Sequence, residues 1–374
     1  MITLKPLLPK YHEYKNYLKK IDNKRIYSNY GPLYFKTKKI IEKHFKLKNN
    51  SVVLTSSGDA SLFACLKYLK YKNKNKKYIL VPSFSFSSNI HSIINSGFEP
   101  IFLDVNLEDW SLSHLEITKQ IKKNKKIGAV LIVSPFGCPI DIEYLNRLKI
   151  KIQTEIIYDA ADTFLNLNNL NNVNFFLTAS FHPTKNVPGN ESGMIICKKP
   201  LEETFKSILN FGQDKKKKIK IFGFNGKMSE YDCAILLATL KRLTKIKNKI
   251  KILNQFIIKN VSNPSIVFQK GFGGNWFSNK LNFYSKTLNN NEVNKIFLTK
   301  KIMPYKPWTG KPMHLHSFFK GYKKANLKNT IFLSKKIISI PLNYDISKIN
   351  LNKICNIFNN YKDFKVSFNA QKNK

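Results

Sequence analysis

Between about residue 50 and residue 200, short apolar runs rich in β-formers alternate with stretches whose apolar positions recur every three to four residues. That alternation predicts an α/β sheet. The runs are 52–55, 78–81, 100–103, 128–133, 155–158, 175–181 and 193–197, and the sheet they imply is mostly parallel. They end in turn-forming or polar groups: S-S-G-D, P-S-F-S-F, S-P-F-G, D-A-A-D and H-P-T-K. Ligand sites of open α/β sheets gather at such carboxyl ends, so the site is expected to be assembled from several loops. Further on, M-S-E-Y-D-C-A-I-L-L-A-T-L-K-R-L predicts one long amphipathic helix over 228–249, capped by Ser229 and bridging two domains. Strand-like 265–268, 281–284 and 337–340 with helix-like 291–298 and 346–359 then predict a smaller α+β unit. The expected division is a large domain over 1–245, N-terminal segment included, and a small one over 246–374.

Composition agrees with that scale and removes several classes of function. A chain of 374 residues that is 43% hydrophobic can bury a large core. No apolar run approaches the roughly 18 residues needed to cross a bilayer, and no apolar segment follows basic residues at the start. A soluble, cytoplasmic protein with no membrane insertion is the expectation. Five scattered cysteines have no spacing that suits zinc or a disulfide framework, so buried thiols and no metal are expected. The net charge of +41 points towards an anionic partner. Lysine is nevertheless spread along the whole chain beside abundant asparagine and isoleucine, as a biased composition alone would give. Only K-N-K-N-K-K at 72–77 and D-K-K-K-K at 214–218 are dense runs. With no recognition module alongside, a nucleic-acid partner is not expected.

Four positions carry candidate chemistry. Lys185, in S-F-H-P-T-K-N-V-P-G-N-E-S-G, follows a strand and precedes a glycine-containing turn. A desolvated lysine near other cations loses its proton more readily and can attack an aldehyde, although in a chain this rich in lysine any one of them is as a rule a surface residue. Asp159 ends an apolar run, where solvation is poor and a partner is needed; a pyridinium nitrogen would serve, and so would a turn or helix cap. The strand–turn–helix V-V-L-T-S-S-G-D-A-S-L should present backbone N–H groups around Gly58, Asp59 and Ala60 at a helix start, where phosphate binds. Phe86 follows a strand and could stack on a flat cofactor, or simply belong to the core.

Taken in order, these segments resemble the DegT/DnrJ/StrS family of nucleotide-sugar aminotransferases, which share the aspartate-aminotransferase type of pyridoxal-phosphate fold. The resemblance runs from Y-S-N-Y-G-P-L through T-S-S-G-D-A-S-L, V-P-S-F-S-F, G-F-E-P-I-F-L-D-V and S-P-F-G-C-P-I-D. It continues with I-I-Y-D-A-A-D, S-F-H-P-T-K, F-N-G-K-M-S-E-Y and L-S-K-K-I-I-S-I-P-L-N. It implies that Lys185 is the Schiff-base lysine, that Asp159 partners the pyridine nitrogen and that Phe86 stacks on the ring. Ser180 and the turn at Gly58, Asp59 and Ala60 would hold the phosphate. Asn225 would reach the phosphate of a neighbouring subunit, which implies a homodimer with shared sites. Asn29, Lys227, Trp308, Lys311 and His314 lie in segments that resemble substrate loops. The chain departs from the family at Asp59, where threonine is usual, and at Asp162, commonly His, Gln or a small residue near the cofactor's phenolic oxygen. Ser192 replaces a usual glycine, and Lys227 a common arginine.

The activity implied is transfer of an amino group from an amino acid, glutamate by resemblance, to a keto group of a nucleotide-linked deoxy-sugar. The cofactor would cycle with pyridoxamine phosphate, and Lys185 would also move the proton. Two other readings stand beside it. One is a pyridoxal-phosphate-dependent sugar dehydratase of the same fold, in which histidine replaces the lysine. The other is a catalytically silent homologue acting as a regulator or basic binding protein, suggested by Asp59, Asp162 and the charge.

Overall fold

A computed structural model of the chain describes residues 1–360 and Phe364. Two helices that the apolar pattern does not announce come first, α1 (Tyr11–Lys24) and α2 (Pro32–His44). Strands and helices then alternate: β1 (Asn50–Thr55), α3 (Gly58–Lys72), β2 (Tyr78–Pro82), α4 (Ser87–Asn95), β3 (Glu99–Leu103), α5 (His114–Lys123) and β4 (Ile127–Val133). They continue as α6 (Ile142–Ile152), β5 (Glu155–Asp159), β6 (Phe176–Ser180), β7 (Gly193–Lys198) and α7 (Glu202–Ile208). All seven strands lie on predicted runs. The remainder is α8 (Glu230–Lys241), α9 (Leu243–Asn260), β8 (Ile266–Phe268), β9 (Lys280–Ser285), α10 (Asn290–Thr299), β10 (Lys323–Lys324), α11 (Lys328–Lys336), β11 (Ile338–Pro341) and α12 (Lys348–Asn360).

The larger sheet has the order β1-β7-β6-β5-β4-β2-β3-β10. β7 runs antiparallel to both neighbours, β1 and β6, and the other pairings are parallel. Successive side chains of a strand point to opposite faces. Val130, Ile132, Ile156 and Tyr158 therefore share a core with α1, α2, α6 and α8, whereas Ala129, Leu131, Val133 and Ile157 pack with α3, α4 and α7. Helices on both faces explain why I-G-A-V-L-I-V is apolar throughout instead of alternating.

The stretch expected to form a single helix over 228–249 is two, parted at Arg242, whose backbone sits at φ −97° and ψ 5° and whose guanidinium meets Glu13 at 3.1 Å. Ser229 does cap α8, accepting from the Asp232 N–H at 3.0 Å. α8 is not amphipathic, since eight of its twelve residues are buried. One of them, Glu230, accepts the N–H groups of Leu33 and Tyr34 at 2.7 and 2.8 Å, which fastens the start of α2 to α8.

The second sheet, β11-β9-β8, is antiparallel. With α9, α10 and α12 it encloses its own core around Phe283, Phe297, Ile338 and Phe358. The chain between these elements returns to the first sheet: β10 pairs with β3, and Met313, Phe319 and Leu327 join the core beside α3 and α4. Among the described residues no helix is long and apolar enough to cross a membrane.

Candidate active site

The carboxyl ends of β1, β4, β5 and β6 open on a cavity of about 560 Å³ whose wall includes Gly58, Ser134, Asp159, Ser180 and Lys185. One end is the start of α3. Ser57 Oγ accepts the Ala60 N–H at 3.0 Å, while the N–H groups of Gly58 and Asp59, in the first turn, have no acceptor within the helix. An anion is stabilised at such a terminus. The turn lies hard against β6 and β7. A Cβ on Gly58 would stand 2.6 Å from Ser180 Cβ, and one on Gly193 only 2.5 Å from the Ser57 carbonyl oxygen. Glycine at both places is what allows the helix start and the Ser180 hydroxyl to share one corner.

Asp159 and Thr178 are register partners on β5 and β6, which places the acid one strand away from the segment leading to Lys185. That segment is a tight loop closed by Lys185 N–H donating to the His182 carbonyl at 2.9 Å and Gly189 N–H to the Phe181 carbonyl at 2.6 Å. Asp159 is 9% exposed; its carbonyl accepts the Ser134 N–H at 2.9 Å and its carboxyl the Ala161 N–H at 3.0 Å. Burial pushes its carboxyl above the ordinary range, against the pull of Lys185. Asn89 of α4 lines the same wall and its amide is felt by the Asp159 carboxyl, yet the buried Nδ2 completes no hydrogen bond. For Lys185, burial drives the ammonium towards the neutral amine; Asp162 and Asp159 oppose that, and Lys280 reinforces it.

Asp162 meets different company. Lys280 of β9 pairs with it at 2.6 Å, both side chains being less than a tenth exposed. Asn186 donates to its Oδ1 from N–H and Nδ2, each at 3.3 Å, and accepts the Asn279 N–H at 2.8 Å. Burial alone would raise this carboxyl, but Lys280 and then Lys185 hold it below the usual range.

The structure brings together most of the residues singled out in the sequence. Gly58, Asp59, Phe86, Asp162, Ser180 and Trp308 line the cavity with Lys185 and Asp159. The Asp59 carboxylate has a donor in Ser92 Oγ at 2.8 Å. Phe86 is 56% exposed, whereas Phe84 and Phe136 hold Trp308 between them at ring distances of 4.7 and 4.6 Å. Other candidates lie outside the wall. Ala60 is spent on the helix cap. Asn225 accepts from Lys227 Nζ at 2.9 Å, and Lys227 also stands over the Phe211 ring. His314 is buried against Ser83 Oγ at 2.7 Å. Asn29 and Lys311 are exposed. Lys280, Asn186 and Asn89 were not anticipated, nor was the pair of His182 and Glu191 at 3.2 Å on the cavity wall. Only the misplaced acid at 162 hinted that a cation had to come from elsewhere.

A family model described as the DegT/DnrJ/EryC1/StrS aminotransferase family matches residues 11–359. A dTDP-4-amino-4,6-dideoxy-D-glucose transaminase of Shigella dysenteriae is 26% identical over 278 residues, 72% of this chain and 74% of that one. A 3-oxo-glucose-6-phosphate:glutamate aminotransferase of Bacillus subtilis (strain 168) is 28% identical over 222 residues, 57% of this chain and 48% of that one. Among solved structures, one described as a PLP-dependent aminotransferase from Bacillus cereus superposes with a TM-score of 0.87 at 25% identity, covering 95% of this chain and 98% of its own.

Proposed function

The chain belongs to the DegT/DnrJ/EryC1/StrS aminotransferase family, and on that premise we propose that its cavity binds pyridoxal 5'-phosphate and serves to move an amino group from glutamate to a keto group of a nucleotide-linked deoxy-sugar. The observation that carries this is the meeting of three unlike groups on one cavity wall: a helix start suited to an anion, a buried acid without a salt-bridge partner, and a buried amine. They match the phosphate, the ring nitrogen and the aldehyde of the cofactor. Asn89 Nδ2, a buried donor with no partner beside Asp159, is a further sign that the wall is shaped for a polar occupant.

When bound, the cofactor supplies an electron sink for the pair released as a C–H bond beside the transferred nitrogen breaks. The chain's own groups do the rest. The N–H groups of Gly58 and Asp59 and the Ser180 hydroxyl hold the phosphate. Asp159 keeps a proton on the ring nitrogen, and the cation so formed also relieves the acid's own burial. Phe86 would pack on the ring, and Phe136 and Trp308, backed by Phe84, would form an apolar wall against water. Lys185 would be the group that holds the aldehyde, and its amine would also move a proton at the reacting carbon, a task suited to an amine of lowered pKa.

The Shigella relative supports the sugar half of this reading and the Bacillus subtilis relative supports glutamate. Asn225, held beside Lys227 away from the cavity of its own chain, suits a role in a partner's site and hence a homodimer. Five buried free cysteines suit the reducing cytoplasm.

The test offers the enzyme a panel of nucleotide keto-sugars with glutamate and follows mass. One sugar should gain an amine while glutamate becomes its keto acid, and Lys185→Ala should lose both this activity and the borohydride-reducible cofactor link. Loss of water from the sugar without gain of nitrogen would replace transamination by dehydration. A fully reducible adduct in Lys185→Ala would remove Lys185 from its role.

A further inference from the structure

Lys280 is a fourth charged group on the cavity wall beside Asp159, Asp162 and Lys185, and neither family resemblance nor the reading above gives it a task. Its ammonium is buried, lies on the wall beside Lys185 and Asp162, and reaches Asp162 Oδ2 at 2.6 Å. The pair is anchored from both sides. Asn186, the residue after Lys185, binds the other oxygen of Asp162 and ties it through Asn279 to the strand that carries Lys280. A buried carboxylate next to a buried amine would ordinarily fix that amine as an ammonium ion. Here the acid already has a cation of its own.

We propose that Lys280 is a positioning residue for the transamination chemistry: by pairing with the Asp162 carboxylate and standing near Lys185 as a second cation, it weakens the hold that the two acids have on the Lys185 proton, so that Lys185 meets the cofactor's aldehyde as a free amine. The inference rests on the assignment of Lys185 as the linking lysine. The charged and titratable groups facing Lys185 are Asp159 from β5, Asp162 from the turn after it and Lys280 from β9. Tyr305 interacts with Asp162, and Asp59, His182 and Glu191 lie farther round the wall. Only Lys280 adds positive charge at the heart of this group. In forming the link, the amine nitrogen bonds to the aldehyde carbon and the carbonyl oxygen leaves as water, so no redox partner is involved. An ammonium has no lone pair for that bond and must first give up a proton. The arrangement thus has a direct kinetic consequence.

Cofactor-free protein is mixed with pyridoxal 5'-phosphate at graded pH, samples are quenched with borohydride at short times, and the reduced adduct on the Lys185 peptide is counted by mass spectrometry. The midpoint of the rate profile reports deprotonation of Lys185. Lys280→Met removes a nearby cation and leaves Asp162 to Lys185, so the midpoint should rise by about one pH unit or more. Asp162→Asn removes the attraction and should lower it. The double variant Asp162→Asn/Lys280→Met, which buries no unpaired charge, should return close to the wild-type midpoint. If Lys280→Met does not fold, the downward shift in Asp162→Asn and the restored double variant still decide the matter. A midpoint unmoved or lowered in Lys280→Met, or unmoved or raised in Asp162→Asn, overturns the proposal. Adduct found on Lys280 instead of Lys185 overturns the underlying assignment of the linking lysine.

Discussion

Asp159 and Asp162 leave the same strand end three residues apart, both buried, and their surroundings push them in opposite directions. Burial lifts the carboxyl of Asp159 because its one direct hydrogen bond is a backbone N–H at 3.0 Å and no salt bridge compensates. Burial acts on Asp162 too, but Lys280 at 2.6 Å, Lys185 and the Asn186 N–H together outweigh it and keep the carboxyl below its usual range. The difference is one of completeness. Asp162 is finished within the chain, by a lysine that the second sheet delivers from 118 residues away. Among the described residues Asp159 has no salt bridge and feels only the pull of Lys185, and a buried acid left open in a cavity suits a protonated ring nitrogen.

The largest effect should follow from making Asp159 unable to carry charge. Asp159→Asn keeps the shape and the Ala161 hydrogen bond but cannot hold a proton on a ring nitrogen, so kcat should fall about 10²–10³-fold, with the far-ultraviolet circular dichroism unchanged. Near-normal turnover would make Asp159 a structural twin of Asp162 and erase the contrast. The counterpart at the closed acid is a stability effect. Lys280→Met breaks a buried ion pair and leaves Lys185 as the cation still facing Asp162, so it should cost up to about 3–5 kcal/mol of unfolding free energy, much of which Asp162→Asn/Lys280→Met should recover. The same change at Lys270, whose partner Glu108 is as exposed as itself, should leave thermal stability unaltered.

The contrast also marks what local sequence can and cannot disclose. The strands β1 to β7 of the large sheet were legible because a strand covered on both faces is apolar along nearly its whole length, as in β4. At the corner, Gly58 and Lys185 stood out because they sit in turns just after β1 and β6, whose composition differs from the runs before them, whereas Ser180, the last residue of β6, came from the resemblance alone. Long-range partners were not. Asp162 could be seen to be unusual, but Lys280 was one of 64 lysines and arginines, and nothing near it in the chain distinguishes a buried lysine from a solvated one. The break at Arg242 escaped for a related reason. α8 is buried on almost every side, so its apolar pattern runs into the amphipathic α9 without a polar gap, and the helix parts where the guanidinium reaches a carboxylate of α1. His314 and Asn225 came from the resemblance alone, and their places against Ser83 and Lys227 depend on packing that no short segment encodes.

The smallest effect, and the one that sharpens the contrast most, is in the pH dependence of stability without cofactor. An acid whose carboxyl is raised by folding stabilises the native state below its ordinary value of 3.8; that contribution is lost as the pH climbs through the raised value, leaving a penalty at neutrality. Asp159 is of this kind, so Asp159→Asn should melt slightly higher than wild type at about pH 7, and the gain should shrink as the pH is lowered towards the ordinary carboxylate range. Asp162 is of the opposite kind. Its carboxyl is lowered by folding, so its contribution is present above 3.8 and is lost as the pH falls through the depressed value; Asp162→Asn should melt lower at neutral pH, and its deficit should narrow in acid. Saturating pyridoxal 5'-phosphate then separates the two further. A ligand that binds only the folded protein raises the melting temperature in proportion to its affinity, and a ring cation needs the Asp159 carboxylate. Cofactor should therefore raise the melting point of wild type and of Asp162→Asn more than that of Asp159→Asn, enough to cancel the advantage that Asp159→Asn holds without it. Equal shifts in all three proteins would mean that the open acid is not where the cofactor's charge is met.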